Sequence, residues 1–258
     1  LIWPLTPTWE NGHTWRAIAP GSHSMLTLHQ FHLSPYNEKL QRMLNFKGID
    51  FDEKYWLLGD RKQVRALNPV GKLPALEHNG NIVADSTDAA HYIEAQFPDP
   101  ALIPHEPALR GQVHVLEDWA DESLYFYEMH LRFTTPGNKE RNIPRMVEHE
   151  NGFLRWLLPK VVPGGIAKIT ANQGIGRKST AQLLVDVQRH VQAVDDLLAG
   201  GDWLVGGQIT LADLAVFAMF QALQDADMAA AIIAQFPRVV AWMKRIEDST
   251  GKRVAQAN

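Results

Sequence analysis

The chain of 258 residues contains no cysteine. This absence excludes structural disulfides, cysteine nucleophiles, Cys-x-x-Cys redox pairs and cysteine-based zinc sites, and it is compatible with a reducing cytoplasm. No apolar run approaches the roughly 18 residues that a membrane-spanning helix needs, so we expect no membrane partner. There is no basic block and the formal net charge is −4, so nucleic acid is not expected as a partner either.

Metal-binding motifs are also lacking. His149-Glu150 is not followed by the second histidine of a His-Glu-x-x-His motif, and His29 and His32 have no third ligand nearby in the sequence. Gly174 to Ser179 lacks the spacing of a phosphate-binding loop. We therefore expect no metal and no nucleotide site built on these residues.

Residues 1–24 differ from the rest of the chain. They show no periodicity, lack the charged leader and apolar run of a signal peptide, and end in Gly21-Ser22-His23-Ser24 before Met25. That ending is typical of a cloning-vector sequence before a start methionine. We expect residues 1–24 to be a non-native extension, with a native extension as the alternative.

Residues 25–97 predict an α/β domain. Ser34 and Pro35 suit the start of a helix that Gly48 ends, and Asn79-Gly80 is a strong hairpin turn. The predicted order is β-α-β-(α)-β-β-α, which is a mixed sheet with helices. The predicted elements are a strand after Met25, a helix from Pro35, a strand at 51–58, a polar loop at 59–68 that includes a short helix in one interpretation, strands at 72–77 and 81–84, and a helix at 89–97.

The second part of the chain predicts only helices. Residues 98–107 carry four prolines and form the expected linker to an all-helical domain at 108–258. We expect one long helix at 108–133, an interrupted one at 144–159 that Pro163-Gly164-Gly165 ends, and another from Ser179. Thr210 and Asp213 form a capping box before a very apolar helix that should be buried, and a last helix is expected at 238–248.

Several motifs together resemble the soluble glutathione transferase superfamily. They are Ser34-Pro35-Tyr36, the segment from Asn68 to Leu76 with Leu73-Pro74 inside it, Asp85-Ser86, and the segment Gly207 to Asp213. The resemblance covers Met25 to about Asp248. It implies a thioredoxin-like domain with a mixed four-stranded sheet, followed by an all-α helical bundle, in a cytoplasmic homodimer.

The resemblance also implies a glutathione site. Ser34 is the expected catalytic residue, since a helix N-terminus favours an anion and a hydroxyl can donate to a thiolate. Leu73-Pro74, expected in the cis form, would pair with the cysteinyl backbone, and Asp85 and Ser86 would hold the γ-glutamyl head. Lys72 is a candidate for the glycyl carboxylate, with Lys62 and Arg61 as alternatives. Taken alone, Ser34 and the Asp85-Ser86 pair would be helix caps.

Relatives with cysteine in place of Ser34 reduce mixed disulfides, which this chain cannot do. The expected chemistry is therefore conjugation, in which the glutathione thiolate attacks a small apolar electrophile. Tyr36 and Asn37 are alternative donors to the thiolate. Candidates for the wall of the second-substrate site are Tyr36, Trp119, Phe126 and Met129, although an aromatic stripe is more often core.

Other functions stay open at this point. One is a non-catalytic binding or regulatory protein of the same fold, and another is a glutathione-dependent dehalogenase or ether-cleaving enzyme. The sequence does not identify the electrophile.

Overall fold

A mixed sheet of four strands forms the first part of the computed structural model, which describes residues 26–251. The strands are β1 (Leu26–Phe31), β2 (Asp52–Trp56), β3 (Ala75–His78) and β4 (Asn81–Ala84). Their order in the sheet is β2-β1-β3-β4, with β2 parallel to β1 and the other pairs antiparallel. The predicted mixed sheet is confirmed, whereas the prediction about residues 1–24 lies outside the described part of the chain.

The local signals of this part lie where the sequence predicts them. Helix α1 (Pro35–Lys47) begins with its proline in the first turn and ends at Gly48, whose φ is 69°. Asn79 and Gly80 both have positive φ, as the hairpin turn requires. The remaining helices here are α2 (Arg61–Leu67), which lies in the polar loop, and α3 (Ser86–Gln96).

The rest of the described chain is helical, as predicted. The helices are α4 (Pro107–Trp119), α5 (Tyr125–Phe133), α6 (Asn138–Met146), α7 (Gly152–Gln173), α8 (Thr180–Leu197), α9 (Leu211–Leu223), α10 (Asp227–Ile233) and α11 (Pro237–Thr250). A π-helical turn, Ala120–Leu124, joins α4 to α5. These two helices and the turn form the long helix that the sequence predicts, while α10 was not predicted. Among residues 26–251, no helix combines the length and the apolar character that crossing a membrane requires.

The predicted interruption near Gly152 is confirmed, because α6 ends at Met146 and α7 begins at Gly152. The predicted break at Pro163-Gly164-Gly165 is wrong, since α7 continues through this segment to Gln173. Asn151 caps its start by accepting a hydrogen bond from the Leu154 N–H at 3.0 Å. A proline inside a helix costs about 3 kcal/mol. The packing of α7 against α5 and α6 offsets this cost, with Ile166 buried in the contact.

Helix α9 lies at the centre of the apolar core. Its capping box is confirmed, because Asp213 accepts from the Thr210 N–H at 2.8 Å. Asp213 also accepts from the Leu204 N–H and from Trp242 Nε1, each at 2.9 Å. Since α9 packs against α1, the core of the helical part continues into the α/β part. Helix α1 therefore connects the core of the α/β part with that of the helical part.

Candidate active site

The register of the sheet brings the predicted glutathione-binding segments to one edge. Ala75, the first residue of β3, pairs with His29 near the end of β1 and with Ala84 at the end of β4. The residues that follow β1 and β4, and those that precede β3, therefore lie along the same edge. These are the segments that carry Ser34, Leu73-Pro74 and Asp85.

Ser34 occupies a sharp corner between β1 and α1. It is half-buried at the N-cap position, but its side chain makes no capping hydrogen bond. The preceding residue, Leu33, has a φ of 64°, which is unusual for a residue with a branched side chain. The Asn37 side-chain amide donates to the carbonyl of Phe31 across the corner. The Ser34 hydroxyl is therefore presented at the helix start without serving as its cap.

The Leu73-Pro74 peptide bond is cis, as expected. Both residues are buried, and the segment before them is held by Asn68, whose side-chain amide donates to the Lys72 carbonyl at 2.8 Å. The Lys72 side chain is exposed. The two other candidates for the glycyl carboxylate, Arg61 and Lys62 on α2, are exposed as well. The structure does not favour one of these cations over the others.

Asp85 caps α3 and has a φ of 84°. It is exposed, and its Oδ1 accepts from the Thr87 N–H at 2.9 Å. Ser86 is buried, and its hydroxyl lies 3.4 Å from Asp121 Oδ2. A non-glycine residue at positive φ costs energy and persists only where the surrounding structure holds it. Such residues cluster at ligand-binding sites. Leu33 and Asp85 are two such residues on the same edge.

A buried ionic cluster that the sequence reasoning missed lies beneath the start of α3. The Lys39 ammonium donates to Glu117 at 2.7 Å and to Asp121, and all three side chains are buried. The Thr87 hydroxyl donates to Glu117 at 2.7 Å. A signal was present, because Lys39 lies four residues before the buried Met43 and thus on the core face of α1.

The carboxylates of this cluster differ in their protonation. Burial raises the pKa of Asp121 to about 6, against the attraction of Lys39 and with the repulsion of Glu117. Burial acts in the same direction on Glu117, but Lys39 and the hydrogen bond from Thr87 outweigh it and lower the Glu117 pKa. Burial alone would lower the pKa of Lys39, yet the two carboxylates raise it. Lys39 is therefore charged, and Asp121 is the group that titrates near neutral pH.

Two of the four candidates for the second-substrate wall lie beside the Ser34 corner. Phe126 packs against a small apolar cluster that contains Met129, and Leu33 packs against the same cluster. Trp119 lies elsewhere, with its ring 5.5 Å from that of His190 on α8. The other members of the cluster are Phe133, Ile143, Ile166, Tyr125, Met146 and Val162. Helices α5, α6 and α7 thus supply a largely buried apolar cluster that packs against Leu33, the residue before Ser34.

Tyr36 and Asn37 are not available as donors to a thiolate. The Tyr36 hydroxyl donates to the carbonyl of Asp121 at 2.7 Å, and burial raises the pKa of this phenol well above its usual range. The Asn37 amide donates to Phe31, as described above. The ring of Tyr36 packs 4.8 Å from that of Tyr125, on the side of the core. Ser34 is the hydroxyl that this corner leaves uncommitted.

The segment between α6 and α7 contacts the same edge of the sheet. The Gly59 N–H, just after β2, donates to Glu150 Oε1 at 3.2 Å. A Cβ atom at residue 59 would lie 2.8 Å from Leu154 Cδ1, so a larger residue there would displace the end of the Leu154 side chain. The ring of His149 lies 4.9 Å from that of His32 at the end of β1. Among residues 26–251, no group of three or more His, Asp or Glu side chains is arranged to hold a metal ion.

Comparison of the sequence with known proteins finds similarity to glutathione S-transferases. The family model "Glutathione S-transferase, N-terminal domain" matches residues 28–101, and "Glutathione S-transferase, C-terminal domain" matches residues 177–245. A protein of Aplysia californica named "Probable glutathione transferase" is 34% identical over 93 residues, which are 36% of this chain and 91% of the relative. Protein LigF of Sphingobium sp. is 24% identical over 217 residues, which are 77% of this chain and 80% of LigF.

Solved structures show the same fold. The β-etherase LigF superposes with a TM-score of 0.64 at 23% identity, over 86% of this chain and 95% of LigF. Rice GST1, crystallised with glutathione, superposes with a TM-score of 0.64 at 18% identity, over 89% of this chain and 90% of the rice protein. The chain thus has the fold of the proteins in which a thioredoxin-like α/β domain is followed by a helical domain. The chain belongs to the glutathione transferase superfamily.

Proposed function

We propose that this protein is a glutathione-dependent transferase of the serine type, in which Ser34 stabilises the thiolate of bound glutathione. The observation that carries the proposal is the Ser34 hydroxyl at the start of α1, which makes no capping bond and shares a sheet edge with Leu73-Pro74 and Asp85. Membership of the superfamily supports glutathione as the co-substrate. The rice relative in complex with glutathione supports it further.

The dimensions of the edge suit a tripeptide. From β1 across β3 to β4 is two strand spacings, or roughly 10 Å. Three extended residues span about the same length. In this arrangement the thiol lies at Ser34, the cysteinyl backbone pairs with Leu73, and the γ-glutamyl head lies at the start of α3. There, Asp85 would accept from the ammonium group, and the first N–H groups of α3, with Ser86 among them, would bind the carboxylate.

The chemistry is the activation of a thiol that belongs to the ligand. The N-terminal end of α1 and a hydrogen bond from Ser34 both favour the thiolate over the thiol. The thiol proton passes to solvent, the thiolate forms a carbon–sulfur bond with the electrophile, and the leaving group departs with its electron pair. With no cysteine in the chain, a mixed disulfide with the protein cannot form.

The second substrate in this proposal is a small apolar electrophile that rests on the surface formed by Phe126 and Met129. Cleavage of an ether or removal of a halogen would use the same thiolate, with an alkoxide or a halide as the leaving group. The LigF comparison favours ether cleavage as the first of these to test, because that relative is a β-etherase. A homodimer and a cytoplasmic location are further proposals by analogy with the family.

The experiment is glutathione binding followed by turnover. Calorimetry should show binding, and the bound thiol should ionise at a lower pH than the free thiol when its ultraviolet absorbance is titrated. A panel of aryl halides, epoxides and β-aryl ethers would then identify the reaction. Binding without turnover of any electrophile would favour the alternative of a non-catalytic binding protein. A protein that does not bind glutathione would overturn the proposal.

A further inference from the structure

A buried arginine on α5 contacts the corner that carries Ser34. Arg132 is 2% exposed, and its Nη1 atom donates to the backbone carbonyl of Leu33 at 3.2 Å. The same nitrogen donates to Glu128 at 2.7 Å, and Glu128 is 1% exposed. Burying this ion pair has a large desolvation cost, and a well-packed apolar pair would often be no less stable. Stability alone is therefore a weak explanation for its place in the fold.

The second terminal nitrogen of Arg132 contacts the turn after α9. Its Nη2 atom lies 3.2 Å from Asp225 Oδ2, and Arg145 of α6 donates to the other oxygen of Asp225 at 3.0 Å. The Asn142 amide donates to the Asp225 carbonyl at 3.0 Å. Because the guanidinium group is planar and both of its terminal nitrogens have partners, these contacts restrict its orientation. The hydrogen bond to Leu33 thus comes from a donor that α5, α6 and the turn after α9 hold in place.

The acceptor of this bond is the peptide unit that joins Leu33 to Ser34. Leu33 is at a φ of 64°, which costs energy for an L-residue and lasts only where the surroundings enforce it. A cationic donor on the carbonyl also polarises the peptide, and the N–H of that peptide belongs to Ser34. Arg132 therefore acts both on the direction of the Ser34 side chain and on the donor strength of its backbone.

We propose that Arg132 is a positioning residue for the glutathione site, and that it fixes the Leu33–Ser34 peptide so that Ser34 faces the thiol of the ligand. This inference rests on the proposed function. It assigns the Glu128–Arg132 pair to the thiol end of the site, although the pair itself does not touch the substrate.

The test uses the full chain with a double variant, Glu128→Met/Arg132→Met, which removes the pair without leaving a buried charge alone. Its bound glutathione should ionise about 0.5–1 pH unit higher than in the wild type, since the effect passes through one polarised peptide. Glutathione affinity should change less than about threefold, because the contacts at Leu73 and α3 remain. The single variant Arg132→Lys keeps the charge but not the planar fork, and should give an intermediate shift.

A second readout needs no ligand. Amide hydrogen exchange over residues 31–37 should speed up in the double variant, because the Leu33 carbonyl loses its hydrogen bond from Arg132. The matched control is Lys47→Met/Glu94→Gln, which removes a half-buried ion pair at the far end of α1. It lies about 18 Å along the helix from Pro35 and should change neither readout.

The outcomes separate the two proposals. If wild-type protein binds no glutathione, the proposed function fails, and the role of Arg132 fails with it. If the wild type lowers the pKa of bound glutathione and the folded double variant lowers it equally, the function stands and the positioning role is overturned. A shift of the same size in the Lys47 control would also overturn it, since the effect would then be general destabilisation.

Discussion

The ammonium of Lys39 on α1 lies 2.7 Å from Glu117 Oε1 on α4, and both side chains are buried. Asp121 shares the same ammonium. Replacing Lys39 by methionine would leave two carboxylates buried without a cation, so we expect Lys39→Met to lower the free energy of unfolding by about 3–5 kcal/mol at neutral pH. The loss should be smaller at about pH 5, where the carboxylates can take up protons. Urea denaturation at both pH values measures it.

The control for this prediction is Lys244→Met on α11. Lys244 pairs with Asp248 four residues later, but both side chains are exposed. Such a pair contributes at most about 0.5 kcal/mol, so this variant should keep the stability of the wild type. Equal losses in the two lysine variants would contradict the role of burial.

The pH dependence of stability should report on Asp121. Burial raises its folded-state pKa from 3.8 to about 6. Between these values the folded protein binds more protons than the unfolded chain, so this contribution is present below about pH 3.8 and is lost as the pH rises through about 6. Asp121→Asn should remove about 1–3 kcal/mol of that pH dependence.

Denaturation of wild type and Asp121→Asn between about pH 3.5 and 7 measures this difference. The exposed Asp118, on the same stretch of helix, provides the control variant Asp118→Asn. Its stability should follow the wild-type curve. Parallel curves for wild type and Asp121→Asn would show that Asp121 does not titrate in this range.

Two serines at helix starts should separate activity from stability. Ser34 makes no capping bond, whereas Ser179 forms a capping box with Gln182 at the start of α8. Ser34→Ala should lower kcat/KM for conjugation about 10- to 150-fold, which corresponds to one charge-assisted hydrogen bond, and change stability little. Ser179→Ala should cost about 1 kcal/mol of stability and keep kcat/KM. A Ser34→Ala enzyme with the kcat/KM of the wild type would remove Ser34 from the mechanism.

Much of the α/β part could be predicted because its signals are local. Pro35 is favoured in the first turn of a helix, Gly48 ends the helix at a positive φ, and Asn79-Gly80 is the turn that a two-residue hairpin selects. The capping box at Thr210 and Asp213 is local in the same sense. Each of these depends on backbone groups within a few residues.

The parts that could not be predicted depend on contacts between distant segments. The bond from Arg132 to Leu33 joins residues 99 apart in the sequence, and the bond from Lys39 to Glu117 joins residues 78 apart. No pattern in a single sequence indicates which arginine reaches which carbonyl. Helix α7 passes through Pro163 for the same reason, because packing against α5 overrides the local preference.

The two aromatic candidates on the long helix should differ in their effect on the second substrate. Phe126 packs against the same buried cluster as Leu33, the residue before Ser34, whereas Trp119 packs with His190 on α8. Phe126→Leu removes part of the apolar contact, so KM for an aromatic electrophile should rise about 5- to 30-fold, as expected for about 1–2 kcal/mol of lost contact. KM for glutathione should change less than about twofold, because the proposed tripeptide site lies along the sheet edge. Trp119→Leu, a larger change outside the cluster, should leave both constants near the wild-type values. Steady-state kinetics with each substrate varied in turn provide the measurement. If Trp119→Leu raised the electrophile KM more than Phe126→Leu did, the electrophile would bind on the α8 side of the helix and the assignment of the apolar surface would be wrong.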